Sequence, residues 1–198
     1  MQLRNDARRY GAVAQALHWV IALGFAAQFA IAWYMNNLPF GLEAMWWFNF
    51  HKSVGVTLLA LAVLRLAWRS VNPPPPLPQG TPTWERMAAR ASHVALYGVL
   101  FAQPLTGLIF SLYSEFPNFI WGFALPNPGH VDWIKDGFMA AHVYLSWAVI
   151  ALVAVHAGAA LRHHFVEKDD VLLRMLPLRQ RPARDRRPRA PAKSADDI

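Results

Sequence analysis

The sequence predicts an all-α integral membrane protein, a bundle of four transmembrane helices. The first observation behind this prediction is composition: 55% of the 198 residues are hydrophobic and 16% are charged, against about 25% charged residues in a typical soluble domain. The second is that three long stretches carry no charge, whereas a bilayer-spanning helix needs about 20 mostly apolar residues. These stretches lie between Arg9 and Glu43, between Arg90 and Glu115, and between Asp136 and Arg162.

Each of the three charge-free stretches predicts one span, and a fourth predicted span lies between the first and the second stretch. Span one is expected at about 11–35, where the apolar run is too long for the core of a cleavable signal peptide. Span two is expected at about 44–67, and its stretch from Ala44 to Leu64 is interrupted only by Lys52, whose long side chain can reach the membrane interface. Spans three and four are expected at about 91–113 and 137–162.

The distribution of Lys and Arg predicts the orientation of the bundle. All 19 basic residues except Lys52 and Lys135 fall on the side that holds both chain ends and the connection between spans two and three. Cytoplasmic segments of membrane proteins are enriched in Lys and Arg, so both termini are expected in the cytoplasm. The net charge of +7 is therefore interpreted as a topology signal, and nucleic acid is not an expected partner.

The chain divides into a membrane domain and a tail. Residues 1–178 form the predicted four-helix domain, with an extended proline-rich connection at 72–78. Residues 179–198 are rich in Arg, Pro and Ala and are predicted to form a disordered cytoplasmic tail near the anionic membrane surface.

The histidines are the leading candidates for function, because the chain has no cysteine and an ionisable group inside a membrane is a functional candidate by default. His142 and His156 are fourteen residues apart in span four, about 21 Å along nearly one face of a helix. His18 in span one matches the depth of His156, and His51 in span two matches that of His142. Two facing pairs are therefore predicted, an inner pair His18/His156 and an outer pair His51/His142.

Two neutral imidazoles that face each other in a dry bundle suit the axial positions of a haem iron. Two b-type haems stacked across the bilayer would then form an electron path, with these four histidines as iron ligands. Other interpretations stay open at this point: interhelical hydrogen bonding, a zinc or copper site, and a proton relay, although no Asp or Glu within a span could continue such a relay.

The remaining histidines divide by position. His163 lies seven residues beyond His156, about 10 Å nearer the cytoplasm, where it could hydrogen-bond a quinone carbonyl and deliver protons. Contact with anionic lipid is the alternative for His163. His93 suits a haem-pocket hydrogen bond or a quinone contact, His164 is expected to face solvent, and His130 to be an ordinary loop residue.

An ordered set of motifs resembles the prokaryotic cytochrome b561 family over about residues 9–177. In the first three spans these motifs are Leu17-His18-Trp19, His51 with Gly55, the proline-rich connection, His93-Val94-x-x-Tyr97 and Pro104-x-x-Gly107. In span four they are His142 and His156-Ala157-x-Ala159-Ala160-Leu161-x-His163-His164-Phe165, followed by Lys168-Asp169-x-x-Leu172-Leu173-Arg174-Met175-x-Pro177.

The resemblance implies a multi-pass cytochrome of the bacterial inner membrane that holds two haem b groups and exchanges electrons with ubiquinone. The axial ligands that it implies are His18, His51, His142 and His156. The family includes superoxide oxidase, in which superoxide from the periplasm gives its electron through the haems to ubiquinone.

The expected activity is therefore that of a superoxide:ubiquinone oxidoreductase, with the lipid bilayer, ubiquinone and superoxide as partners. Lys52, which follows a haem ligand, is expected to guide superoxide or to pair with a haem propionate, and His163 to serve the quinone. The alternative is a haem-b membrane subunit that relays electrons between the quinone pool and another redox protein.

Overall fold

Four long helices dominate the computed structural model, which describes residues 2–78 and 80–177. They are α1 (Ala12–Asn36), α2 (Leu42–Val71), α3 (Thr83–Leu112) and α4 (Asp132–Arg162). Each is long and apolar enough to cross a membrane by its length and composition. The tail predicted for 179–198 lies outside the described residues.

The helices extend beyond the predicted spans where polar residues continue the helical turn. α3 begins at Thr83 instead of near residue 91, and α4 begins at Asp132 instead of near residue 137. Glu85 and Asp132 lie in the first turns of these two helices, where a carboxylate stabilises the positive end of the helix dipole. A charge-free stretch therefore marks the apolar part of each helix and omits the amphipathic turns at its end.

The distribution of exposed and buried side chains suits an apolar environment around the bundle. Large hydrophobic side chains are exposed along the helices, whereas several buried residues are polar, the reverse of the pattern in a soluble domain. Exposed apolar surface of this extent is typical of a membrane contact. The exposed set includes Leu23, Trp33, Tyr144 and Trp147, and the buried polar set includes Gln15, Gln28, Ser53 and Ser111.

The four helices pack unevenly around the bundle. α3 lies along α4, α1 lies along α2, and α2 also contacts α3. Within the described ranges, α4 makes no comparable backbone approach to α1 or α2. The wider gap between α4 and the helices α1 and α2 therefore leaves space between the side chains that point into it. The facing histidines lie in this gap.

One end of the bundle, called the inner end here, joins the N-terminal segment, the α2–α3 connection and the last helix. Asn5 Nδ2 donates to the carbonyl oxygen of Asn72 at 3.0 Å, and Trp19 Nε1 donates to the carbonyl oxygen of Met175 at 2.9 Å. These bonds connect residues that are far apart in sequence and close this end.

A reversal of the chain after α4 makes the closure possible. α4 continues into a π-helical turn, His163–Glu167, and Lys168 then adopts a left-handed conformation with φ of 55°. The chain returns as the short helix α5 (Val171–Met175). The sequence analysis predicted neither the π-helical turn nor α5.

The opposite end, called the outer end here, carries a two-stranded antiparallel hairpin. Its strands are β1 (Phe119–Ile120) and β2 (Phe123–Ala124). Trp121 and Gly122 form the turn with φ of 50° and 85°, and positive φ at both central residues is typical of a type I′ turn. Trp121 fixes the hairpin on α2, because its backbone N–H donates to Ser53 Oγ at 2.9 Å and its Nε1 donates to Thr57 Oγ1 at 3.0 Å.

Candidate functional site

The outer half of the bundle holds His51 of α2 opposite His142 of α4. Their ring centroids are 6.4 Å apart and the ring planes are inclined at 84°. An ion bound between two imidazoles separates their ring centres by about 6.2 Å, since each metal–nitrogen bond is about 2.0 Å and the nitrogen lies about 1.1 Å from the ring centre. The pair therefore has the spacing of two ligands on opposite sides of one metal ion.

The inner half holds His18 of α1 opposite His156 of α4 in a similar arrangement. Here the ring centroids are 6.2 Å apart and the planes are inclined at 63°. His93 of α3 joins this cluster, with its ring centroid 5.5 Å from that of His156. The shorter spacing fits a neighbouring ring better than a ligand across an ion, so the geometry favours His18 as the partner of His156.

A cavity of about 710 Å³ adjoins the outer pair. Small-molecule and cofactor sites commonly have volumes of about 300–1,000 Å³. Its lining includes both outer histidines and continues past Lys52 towards the outer end. The outer half therefore combines two facing imidazoles with room for a cofactor beside them.

α3 fixes the ring of His142 from behind. His142 Nδ1 lies 2.9 Å from the carbonyl oxygen of Gln103, to which a protonated Nδ1 donates. Nε2 then carries the lone pair, which Gln103 Nε2 approaches at 3.3 Å and which a metal could use, an orientation that ligand histidines commonly receive from such a hydrogen bond. Gly107 leaves space for the ring, because a Cβ at this position would lie 2.8 Å from His142 Cε1.

His51 contrasts with His142 in its polar contacts. Its Nδ1 is buried and has no hydrogen-bond partner within the described residues. Gln28 Nε2 donates to the carbonyl oxygen of His51 at 2.9 Å and so fixes the backbone beside this ring. A buried ring nitrogen without a partner, a glycine that makes room for the opposite ring and two imidazole donors all fit a b-type haem at the outer pair. The inner pair offers the same two donors.

Lys52 lies at the outer side of this cavity. Its Nζ donates to Asn118 Oδ1 at 2.7 Å and lies 3.5 Å from Asn49 Oδ1. Lys135 also lines the cavity, but it is paired with Asp132 at 3.1 Å. Lys52 is therefore bound to neutral amides and keeps its charge uncompensated by these contacts.

His163 lies in the π-helical turn at the inner end and contacts two carboxylates. Its Nδ1 is 2.6 Å from Asp169 Oδ2 and 3.0 Å from Glu167 Oε2. The spans themselves contain no acid, and these two carboxylates, which lie just beyond span four, were not predicted as partners of His163. The spacing of Glu167, four residues after His163 on one helix face, was the available signal. Asp169 gave no such signal, because its approach depends on the left-handed Lys168.

The π-helical turn also lies beside ion pairs that Arg162 forms with two glutamates. Arg162 binds Glu167 at 2.7 Å and Glu85 of α3 at 3.2 Å. Ligand atoms of Glu85, His163 and Glu167 lie within 4.8 Å of one another, a spacing that a metal ion could use. Arg162 already supplies a positive charge to both glutamates, so the arrangement is an ion-pair network with His163 at its edge.

The other two histidines lie away from the paired rings. His130 Nε2 is 3.0 Å from Asp132 Oδ1 and 3.6 Å from Glu115 Oε1 at the outer end. The ring of His164 packs edge-on against Phe165. His130 is exposed, as expected for a loop residue, whereas His164, which was expected to face solvent, is half-buried.

Comparison with known proteins adds a family to this geometry. The family model described as prokaryotic cytochrome b561 matches residues 9–178. The chain belongs to the prokaryotic cytochrome b561 family. Members of this family are membrane cytochromes that bind haem b and take part in electron transport.

Three relatives are similar to this cytochrome over most of its length. Cytochrome b561 homolog 2 of Escherichia coli (strain K12) is 37% identical over 182 residues, which cover 89% of this chain and 95% of the relative. Cytochrome b561 homolog 1 of the same organism is 31% identical over 175 residues, covering 83% and 94%. A Yersinia pestis protein named probable superoxide oxidase is 29% identical over 177 residues, covering 86% and 97%.

Proposed function

We propose that this cytochrome is a di-haem superoxide:ubiquinone oxidoreductase of the bacterial inner membrane. Two superoxide ions at the periplasmic face each lose one electron and leave as dioxygen. One ubiquinone gains these two electrons and two protons from the cytoplasmic side and leaves as ubiquinol. The outer end faces the periplasm, and the inner end, with both termini, faces the cytoplasm.

The observation that carries the proposal is the equal spacing of the two histidine pairs, 6.4 Å outside and 6.2 Å inside. His51 and His142 hold the outer haem, and His18 and His156 hold the inner haem. Haem b bound at both pairs would supply one-electron transfer between the two halves of the membrane. The fourteen-residue spacing on α4 fixes the two sites about 21 Å apart along one helix.

Lys52 is proposed to attract superoxide to the outer site. Its ammonium group lines the outer cavity and contacts the amide oxygen of Asn118 instead of a carboxylate. A positive charge in a cavity with low-dielectric walls raises the local concentration of a small anion. The similarity to a Yersinia pestis protein named probable superoxide oxidase supports the same substrate.

His163 is proposed to donate protons to the quinone at the inner end. Asp169 and Glu167 both contact Nδ1 and leave Nε2 for a substrate oxygen. A hydrogen-bonded carboxylate fixes the orientation of an imidazole. Asp169 and Glu167 act here as positioning residues, and His163 as the group that contacts the quinone.

The distribution of basic residues supports the proposed orientation. Arg4, Arg8 and Arg9 precede α1, and Arg174 in α5 donates to the carbonyl oxygen of Pro76 in the α2–α3 connection. These residues lie on three segments that meet at the inner end. Cytoplasmic segments are the ones enriched in Lys and Arg.

A second candidate function is electron relay between the quinone pool and another redox protein. The acids of the outer end favour it, because the side chains of Glu115, Asp132 and Asp136 are 70%, 76% and 68% exposed. An exposed acidic surface would attract a basic partner protein. The same acidic surface would repel superoxide, and Lys52 would then be the positive charge that attracts this anion locally.

Stopped-flow spectroscopy of the purified cytochrome separates the two functions. A superoxide pulse is expected to reduce haem b within the mixing experiment, and added ubiquinone is expected to reoxidise it. Haem that stays oxidised under superoxide, yet is reduced by ubiquinol, contradicts the oxidase and favours the relay. A reduced-minus-oxidised spectrum without a b-type signal contradicts both.

A further inference from the structure

Two arginines of α2 lie in the inner half of the bundle. Arg65 follows His51 by fourteen residues, the same spacing that relates His142 to His156, so it lies near the same face of α2 at the inner depth. Arg69 is one helical turn further towards the inner end. Both side chains are half-buried. Where α2 presents a histidine in its outer half, it therefore presents two guanidinium groups in its inner half.

Arg65 lies beside the inner histidine cluster. It is within electrostatic range of His18, His93 and His156, one residue from each of the other three long helices. Its Nη1 donates to the carbonyl oxygen of Ala14 at 3.2 Å, which uses one of the five N–H donors of a guanidinium group.

Arg69 extends the same charged cluster. Its guanidinium carbon lies 5.7 Å from the ring centroid of Tyr97, within the range of a cation–π contact. Both arginines also act on Tyr10: burial raises the pKa of this phenol above its ordinary value, and Arg69 and then Arg65 oppose the rise. The two guanidinium groups therefore share one polar region at the inner end of α1, α2 and α3.

The described part of the chain supplies no carboxylate to either arginine. Arg162 and Arg174, by contrast, each form an ion pair with Asp or Glu. A partly buried charge without a counter-ion is unfavourable in a membrane. Intramembrane arginines of this kind commonly mark a site for an anion from outside the chain.

We propose that Arg65 and Arg69 form a carboxylate site for the propionate groups of the haem held by His18 and His156. The planar fork of a guanidinium group matches the two oxygens of a carboxylate, and two arginines one helical turn apart match a ligand with two carboxylates. This inference rests on the haem of the proposed function but needs neither superoxide nor quinone as a substrate.

The depth of Arg65 decides between two sources of an anion. A phospholipid headgroup presents a phosphate at the membrane surface, outside the bundle. Arg65 Nη1 instead donates to the carbonyl oxygen of Ala14 at 3.2 Å, one helical turn before His18 on α1, where a ligand bound between His18 and His156 would be its neighbour. A phosphate from lipid is therefore the competing occupant that the experiment must distinguish.

The first test removes the charge and keeps two of the five N–H donors. The double variant Arg65→Gln/Arg69→Gln is compared with Arg65→Lys/Arg69→Lys and with Arg90→Gln, an exposed arginine at the start of span three. Haem per protein is measured in purified full-length protein, and midpoint potentials are measured by dithionite titration. The glutamine variant is expected to lose about half of its haem, with the outer haem retained as the internal control for folding.

The midpoint potential of the inner haem is an independent measure of the positive charge of the two arginines. Positive charge near a haem favours the reduced state, which carries one more electron. In protein that keeps both haems, for example the single variant Arg69→Gln, the inner potential is expected to fall and the outer one to stay unchanged. The lysine variant is expected to restore part of the potential, and Arg90→Gln to change neither.

The second test changes the ligand instead of the protein. Full-length protein from haem-depleted cells is loaded with iron protoporphyrin IX or with its dimethyl ester, in which the propionates carry no charge. Loss of charged hydrogen bonds is expected to weaken binding of the ester at the inner site about tenfold or more. The variant Arg69→Gln is expected to discriminate less between the two compounds.

Three results would overturn the inference. One is a double glutamine variant with two haems at unchanged potentials, and another is equal binding of acid and ester by the unsubstituted protein. The third is loss of co-purified anionic phospholipid with both haems retained, which would assign the arginines to lipid. If the double variant loses both haems, the ester comparison in the unsubstituted protein decides. A cytochrome inactive with superoxide contradicts the proposed function but leaves these measurements valid.

Discussion

The outer histidine pair is surrounded by neutral amides and one lysine, whereas the inner pair is accompanied by a third histidine and by arginines. The ring separations are nearly equal, 6.4 Å and 6.2 Å. In the outer half the carbonyl oxygen of Gln103 accepts from His142. In the inner half Arg65 lies within electrostatic range of both paired rings.

This difference separates two properties of a metal site that are often treated together. The identity and spacing of the ligands determine which cofactor can bind, and the two halves are alike in both. The surrounding charge and hydrogen bonds determine the potential of that cofactor, and here the halves differ. Experiments that change one half at a time can therefore test each property.

The largest effects are expected from removing a ligand. His142→Ala should leave the inner haem only, and His156→Ala the outer haem only, because each replacement removes one axial nitrogen. Haem per protein should fall by about half in each variant, as measured from the reduced-minus-oxidised spectrum. His93→Ala is the matched control and should keep both haems. Loss of haem in His93→Ala, with retention in His18→Ala, would reassign the inner ligand.

A smaller effect is expected from His163, which lies outside both pairs. His163→Ala should keep both haems but slow quinone reduction about a hundredfold, the scale of a lost proton donor. Asp169→Asn should slow it less, because it removes a partner of Nδ1 and keeps the imidazole. His164→Ala is the control. An unchanged quinone rate in His163→Ala would assign this residue to lipid contact.

Charge at the outer cavity should have an effect that depends on salt. Lys52→Gln is expected to slow haem reduction by superoxide about tenfold at low ionic strength and less at high ionic strength. Lys135→Gln removes an equal charge that is already paired with Asp132 and should change the rate less. Equal effects of the two variants would contradict a specific role for Lys52.

The smallest change is a single methyl group in the outer half. Gly107→Ala places a Cβ 2.8 Å from His142 Cε1, and overpacking of this kind costs about 1–3 kcal/mol. Part of the outer haem should be lost, and its absorption band should shift while the inner band stays. Gly98→Ala, on the same helix and with nothing within 4 Å of the added Cβ, is the control. Thermal stability and spectra of the two variants measure the difference.

The sequence predicted the four long apolar helices because charge-free stretches report directly on the membrane. It also predicted which histidines would face each other, since fourteen residues on a helix return to nearly one face. Both inferences depend on the regular geometry of one helix. The same fourteen-residue spacing, counted from His51, leads to Arg65. A pattern of histidines alone does not include this residue.

Other features depend on contacts between segments and gave no local signal. The support of His142 by Gln103 and Gly107 requires the relative positions of α3 and α4. The approach of Asp169 to His163 requires a π-helical turn and a left-handed residue that is not glycine. The hairpin turn at Trp121 is similar, because an aromatic residue seldom adopts positive φ and here is held by contacts with α2.

The position of α4 in the chain has a consequence for biosynthesis. Both facing pairs take one histidine from α4, which follows the other three long helices of the bundle in the chain. Neither pair exists in a nascent chain that ends after α3, although His18 and His51 have been in the membrane since the first hairpin was inserted. With the ligands proposed above, neither haem site would be complete before α4 is inserted, so haem loading would be a late event in assembly.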